Sequence, residues 1–234
     1  MDVGTTHFWL ALLEIIWVNI LLSGDNAVVI ALAARTLPAK QQRTAIALGS
    51  TGAIVLRIIL TIVAAKLLLL PWLKLIGGLL LLYIGISLLL PEKEDDGPAK
   101  EYNSLWSAIR TILLADLVMS LDNVVAVAAA AHGNLVLLIF GLAISIPLVI
   151  FGSTLLLKVI ERLPIIVWLG GALLGYIAGE MLVSDPALVD TVAAMSQSFH
   201  TSVHHLAIAV GVIGALIVLA AGKLARTRAR TANA

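Results

Sequence analysis

The sequence predicts an all-α fold: a polytopic helical membrane protein with seven transmembrane helices, built as a 3+3 inverted repeat plus one C-terminal helix. Three observations carry this expectation. The 234-residue chain is 61% hydrophobic and only 12% charged, and its apolar residues gather in runs of about twenty, the length that crosses a hydrocarbon layer. The segment Ser23-Gly24-Asp25-Asn26 returns almost a hundred residues later as Ser120-Leu121-Asp122-Asn123. Six of the seven prolines, Pro38, Pro71, Pro91, Pro98, Pro164 and Pro186, stand at or between the ends of those runs, where a missing N–H does least harm to a helix.

Helices rather than barrel strands are expected, because only these two spanning forms satisfy every backbone group in lipid and the runs lack alternation. Spans are predicted at 8–34, 45–66, 71–90, 105–131, 135–157, 164–183 and 204–222. Pro147 lies inside the fifth and should kink it. The hydrophilic stretch from Pro91 to Asn103 divides the chain. Residues 1–90 form the first three-helix repeat, 91–104 an acidic cytoplasmic loop, and 105–183 the inverted second repeat. Residues 184–234 hold an extracytoplasmic loop, the seventh helix and a basic tail.

Orientation follows from the basic residues in alternate connections. With the N-terminus outside, twelve of the fifteen Lys and Arg face the cytoplasm, Lys66 and Lys74 face outward, and Arg57 lies within the second span. The C-terminus is then cytoplasmic, and its Arg-rich tail serves as a topology anchor. Met1 to Thr6 carries an acid and no Lys or Arg, which argues against a cleaved signal peptide. A formal net charge of +1 leaves no basic surface for nucleic acid, and the lack of cysteine removes disulfides, thiolate metal sites and cysteine nucleophiles.

The halves correspond residue by residue. A shift of 97 superposes Trp9 on Trp106, Asn19 on Asp116, Ser23 on Ser120 and Asp25-Asn26 on Asp122-Asn123. A shift of 93 superposes Pro71 on Pro164, Gly77-Gly78 on Gly170-Gly171 and Tyr83 on Tyr176. Three spans per half is an odd number, so the second half must cross the membrane in the opposite sense, as in transporters whose site lies where the repeats meet.

Five acids fall within the predicted spans, Glu14, Asp25, Asp116, Asp122 and Glu180, with Arg57 as the one cation deep in a span, away from its ends. An ionised carboxylate near the bilayer centre costs on the order of 3 kcal/mol. One guanidinium cannot compensate five carboxylates, so the rest must face water, hold protons or bind a cation. Asn19, Ser23 and Asn26 recur at helical spacing, as do Asp116, Ser120 and Asn123, which puts each set on one face. On a straight helix Asp25 would share a different face with Glu14. A break near Gly24 would instead turn Asp25 and Asn26 into one cavity and free backbone carbonyls. Leu121 replaces that glycine in the second copy, making a matching break less secure.

Carboxylate, amide, hydroxyl and carbonyl oxygens suit Mg, Ca or Mn. Met119 could add a sulfur that tolerates Mn better than Ca, or simply fill the core. Arg57 could neutralise an acid when no metal is bound, pair structurally with Glu14, or snorkel. Glu180 sits near a span end, where snorkelling would relieve it. The matched glycines and tyrosines read as close helix packing. His200, His204 and His205 could collect metal at an exit or lie in an ordinary interfacial loop.

In a seven-span chain with repeated halves, Ser-Gly-Asp-Asn and Ser-Leu-Asp-Asn resemble the signature of the TerC family of integral membrane proteins, specifically its YjbE-type subgroup. The resemblance covers essentially the whole chain. It implies a bacterial inner-membrane protein of manganese homeostasis, chiefly exporting Mn²⁺ as substrate, with Asp25, Asn26, Asp122 and Asn123 handling the metal. Asp116 is expected beside them, with Asn19, Ser23, Ser120, Glu14, Arg57, Met119 and Glu180 supporting the site or its pathway. The expected partners are a divalent metal ion, Ca²⁺ being less favoured than Mn²⁺, and the lipid bilayer. No organic cofactor is expected, and a homodimer is compatible with the plan.

The chain is not expected to be an enzyme. Two membrane aspartates could activate water as in intramembrane aspartyl proteases, but both stand here in like Ser-x-Asp-Asn settings, and Pro186-Ala187-Leu188 lies in a predicted loop. Export of a small organic solute, as in lysine-exporter-like families, is a closer alternative. A site of Asp and Asn with little aromatic lining favours a bare ion.

Overall fold

A computed structural model describes residues 6–67, 70–90, 98–131 and 134–232. The acidic run at 91–97 lies outside these residues. The described chain forms α1 (Thr6–Leu22), α2 (Gly24–Ala34), α3 (Ala39–Leu67), α4 (Leu73–Leu89), α5 (Pro98–Ala130), α6 (Leu135–Arg162), α7 (Ile165–Val183), α8 (Val189–Ser198) and α9 (Val203–Ala232), with a 3₁₀ turn at Pro186–Leu188. Helices α3, α5, α6, α7 and α9 are each long and apolar enough to cross a bilayer. Taken together as one span, the pair α1–α2, bent by 52°, would bring the number to six. Helix α4 is equally apolar but has 17 residues, at the lower limit for a span.

The bend occurs where the sequence allows it. Ser23 leaves helical geometry at φ −111°, ψ 3° and caps α2, and Gly24 behind it meets nothing within 4 Å of where a Cβ would stand. The corresponding Ser120-Leu121 segment stays inside the unbroken α5. Leu121 packs as a buried core residue there, so the two copies differ as the glycine-to-leucine exchange foretells. Several helices outrun their predicted spans: α3 begins at Ala39, α5 at Pro98, and α9 continues to Ala232.

Two compact units form. The first contains α1, α2, α3, α5 and α6. Its core joins Ile15 of α1, Val127 of α5, and Leu137 and Leu142 of α6. Close approach depends on small residues: a Cβ on Gly49 of α3 would come within 2.8 Å of Ile112 of α5.

The second unit contains α4, α7, α8 and α9. Gly78 of α4 lies against the backbone of Ala178 in α7, and Gly175 and Gly179 of α7 lie against the backbone of α9. Of the repeated glycine pairs, Gly78 packs against helix backbone and Gly171 against Leu89, Tyr176 covers Gly211, and Tyr83 is exposed. Arg226 makes structural contacts of its own. Its Nε donates to the Leu89 carbonyl at 3.2 Å, closing the end of α4, and its guanidinium lies 4.9 Å over Trp168.

Helix α8 occupies part of what the sequence suggested as loop, and Asp185 caps the 3₁₀ turn that leads into it. Its carboxylate accepts from Ala187 N–H at 2.7 Å and also from Trp72 and Leu75 N–H, both at 2.9 Å. One buried side chain therefore caps the 3₁₀ turn and the first turn of α4, and holds Trp72 in the left-handed region at φ 71°. Burial alone would raise the Asp185 pKa, but the N–H groups of Leu75, Ala187, Trp72 and Lys74 outweigh it and hold the carboxyl below its ordinary 3.8. The unfolded chain then takes up the proton first as pH falls. The cap's contribution is complete above about pH 4 and is lost as pH drops through the depressed folded value. Asp185→Ala is expected to cost about 2–4 kcal/mol, read as a lower unfolding midpoint in detergent. Between pH 5 and 8 the deficit should stay constant.

Candidate functional site

Arg57 sits in mid-helix on α3, 2% exposed. Its Nη1 donates to Asn19 Oδ1 at 2.6 Å and to Ser23 Oγ at 2.9 Å. Its Nε donates to Ser120 Oγ at 3.0 Å, and its Nη2 to Asp116 Oδ1 at 2.6 Å. Four of the five N–H groups a guanidinium offers are thereby used. The serines behave alike: Ser23 Oγ donates to Asn19 Oδ1 at 3.4 Å, and Ser120 Oγ donates to Asp116 Oδ2 at 3.2 Å. These acceptors form two pairs that the 97-residue shift relates, Asn19 with Asp116 and Ser23 with Ser120.

Charge makes the two pairs unequal. Asp116, 5% exposed, forms the ion pair, while Asn19 supplies a neutral oxygen. Burying a guanidinium would cost several kcal/mol were it left without charge and hydrogen-bond partners. Arg57 is therefore the counter-ion of Asp116. Glu14 is exposed on α1, and the break in the first span separates its helix from that of Asp25.

The repeated Asp-Asn motifs lie beside this cluster. Asp25 opens α2, half-buried, and its Oδ1 accepts from Asn26 N–H at 2.8 Å in the helix's first turn. The charges of Arg57 and Asp116 both act on it. Asn26 is 2% exposed, and neither its Oδ1 nor its Nδ2 has a hydrogen-bond partner among the described residues. Leaving such a group unpaired costs about 1–3 kcal/mol. From α5, Asn123 Nδ2 donates to the Leu22 carbonyl at 3.1 Å, a carbonyl at the end of α1 where the ladder is broken. Asp122 is exposed and Met119 is buried in α5.

The structure thus gathers Asn19, Ser23, Arg57, Asp116 and Ser120 into one network, with Asp25 and Asn26 following on α2 and Asn123 linking α5 to the break. Glu180 belongs to the other unit, where the Tyr176 hydroxyl donates to it at 2.9 Å. Among the described residues no three His, Cys, Asp or Glu side chains gather as a metal cluster. A cation held near the break would need mixed oxygen donors: the Asp25 carboxylate, the Asn26 amide and backbone carbonyls. Asp116 could join only if Arg57 released it. His204 and His205 stand 6.0 Å apart, and His205 Nδ1 pairs with Ser202 Oγ at 2.8 Å.

Sequence reasoning passed over Thr61, whose hydroxyl bonds the Arg57 carbonyl at 2.7 Å. It also passed over Asp185. Thr61 follows Arg57 by one helical turn, and Asp185 precedes a proline, an N-cap signal.

The family model described as "Integral membrane protein TerC family" matches residues 4–230. The chain is similar to the uncharacterized membrane protein YjbE of Bacillus subtilis (strain 168), 49% identical over 181 residues, or 77% of this chain and 83% of that protein. It is 31% identical to the uncharacterized membrane protein YceF of the same organism over 170 residues, 69% of this chain and 66% of YceF. To the UPF0053 inner membrane protein YgdQ of Escherichia coli (strain K12) it is 27% identical over 173 residues, 67% of this chain and 73% of YgdQ. No solved structure matches the chain.

Proposed function

Because this chain belongs to the TerC family of integral membrane proteins, we propose that it is a secondary transporter that exports a divalent cation, most simply Mn²⁺, across a bacterial inner membrane. One observation carries the reading: a broken helix that sets the Asp25 carboxylate beside a buried Asn26 amide whose polar atoms have no partner among the described residues. Oxygen donors of this kind suit a hard divalent ion. Relatives described as inner membrane proteins support the location, and the excess of Lys and Arg in alternate connections favours an outward N-terminus.

Arg57 is the resident cation of the unloaded site. An arriving metal takes its position from Asp25, Asn26 and carbonyl oxygen freed at the break, and competes with the guanidinium for Asp116. Asp122 serves the same ion along its path. Loading weakens the hold of Arg57 on the four side chains from the two halves. Rearrangement of the spans then opens the site to the other side. Protons displaced from the carboxylates provide a means of coupling to the pH gradient.

The test is Mn²⁺ accumulation in inside-out vesicles, with and without a pH gradient. Accumulation should fall at least about tenfold in Asp25→Asn and in Asp122→Asn while folded protein is retained, the loss expected when a charged ligand is removed. Excess Ca²⁺ or Mg²⁺ added as competitor ranks selectivity. Absence of wild-type flux under every gradient would defeat the proposal. Loss of an organic solute in place of metal from loaded cells would favour a solute exporter.

A further inference from the structure

A second polar feature lies apart from the cation site. The first turns of α3 and the last turns of α6 line an open cavity of about 490 Å³. Lys40 and Arg43 line it from α3, Lys158 and Glu161 from α6, and the buried Ile46 and Leu157 form its floor. Three cations face one acid. Lys40, Arg43 and Lys158 form no ion pair among the described residues. The amino end of α3 adds positive partial charge and the carboxyl end of α6 the opposite, so the side chains decide the sign.

Both helices are long and apolar enough to cross a membrane, and the cavity lies at their ends, the level at which a spanned bilayer has its headgroups. A cationic rim over an apolar floor, at the ends of two such helices, matches an amphiphile with a phosphate at the polar boundary. We propose that this cavity binds the phosphodiester headgroup of an anionic phospholipid. Lys40, Arg43 and Lys158 surround the phosphate, and Ile46 and Leu157 face the start of the acyl chains. Glu161 disfavours a second anion and sets the net charge of the rim at +2 (three cations less one acid). Basic pockets between spans commonly take lipid phosphates, each Lys or Arg strengthening the attraction about fivefold.

The experiment is native mass spectrometry of the purified full-length protein with phosphatidylglycerol, phosphatidylethanolamine and soluble glycerol phosphate. Phosphatidylglycerol should bind one to one and at least about tenfold more tightly than phosphatidylethanolamine, by the same rule for a net charge of two. The triple variant Lys40→Gln, Arg43→Gln, Lys158→Gln should lose about a hundredfold in phosphatidylglycerol affinity, whereas Arg110→Gln, outside the cavity, should lose none. Should the triple variant not fold, Lys158→Gln alone should lose about fivefold and Glu161→Gln should gain. Equal lipid retention by wild type and these variants would overturn the proposal. Glycerol phosphate binding as tightly as the lipid would overturn the lipid source and assign the cavity to a soluble phosphate.

Discussion

Arg57→Leu is expected to lower the stability of the folded protein by about 3–5 kcal/mol, because it leaves the Asp116 carboxylate buried with no charge to balance it. The loss extends past one ion pair: Asn19, Ser23 and Ser120 also lose a donor. Combining Asp116→Asn with Arg57→Leu should restore most of that stability, since no uncompensated charge remains. It should not restore Mn²⁺ flux if the guanidinium and the metal compete for Asp116. The measurement is a double-mutant cycle of unfolding midpoints in detergent beside vesicle flux for each variant. If Arg57→Leu alone unfolded at the wild-type midpoint, the network would not be holding the first unit together. Wild-type flux in the double variant would remove Arg57 from the proposed transport cycle.

Gly175→Leu should be comparably damaging to the second unit. A Cβ at Gly175 would overlap the Gly214 carbonyl and stand 2.8 Å from Ala215 Cα. These are backbone atoms, so relief requires α7 and α9 to separate, and the cost should reach about 3 kcal/mol, the upper end for overpacking. Gly152→Ala in α6 is the control: nothing lies within 4 Å of the added atom, and alanine favours a helix by about 1 kcal/mol. Thermal unfolding of both variants decides the point. Equal midpoints would show that α7 and α9 do not depend on this contact.

Much of this arrangement was legible in the sequence. Span lengths follow from hydropathy because lipid demands helices, and the unequal copies follow from Gly24 against Leu121. The faces shared by Asn19 with Ser23 and by Asp116 with Ser120 were legible from spacing. The partner of Arg57 was not, because helical periodicity orders residues within one helix and is silent about which face meets which. Glu14 and Asp116 were equally available to it by sequence. The contact of α7 with α9 had a local trace in Gly175 and Gly179 and in Gly211 and Gly214, but small residues show only that something comes close. Helix α8 is too short and mixed in polarity to stand out, and the Asp-Pro start of the 3₁₀ turn before it was the one readable sign.

The ion pair between Arg57 and Asp116 also has an electrical meaning. A lone unit charge carried across a membrane does about 2.3 kcal/mol of work for each 100 mV. A guanidinium and a carboxylate held 2.6 Å apart and moving as one body contribute almost none. The Arg57–Asp116 pair can therefore move within the membrane as one body without drawing on the membrane potential. Voltage acts on this part of the molecule only through whatever separates the two charges.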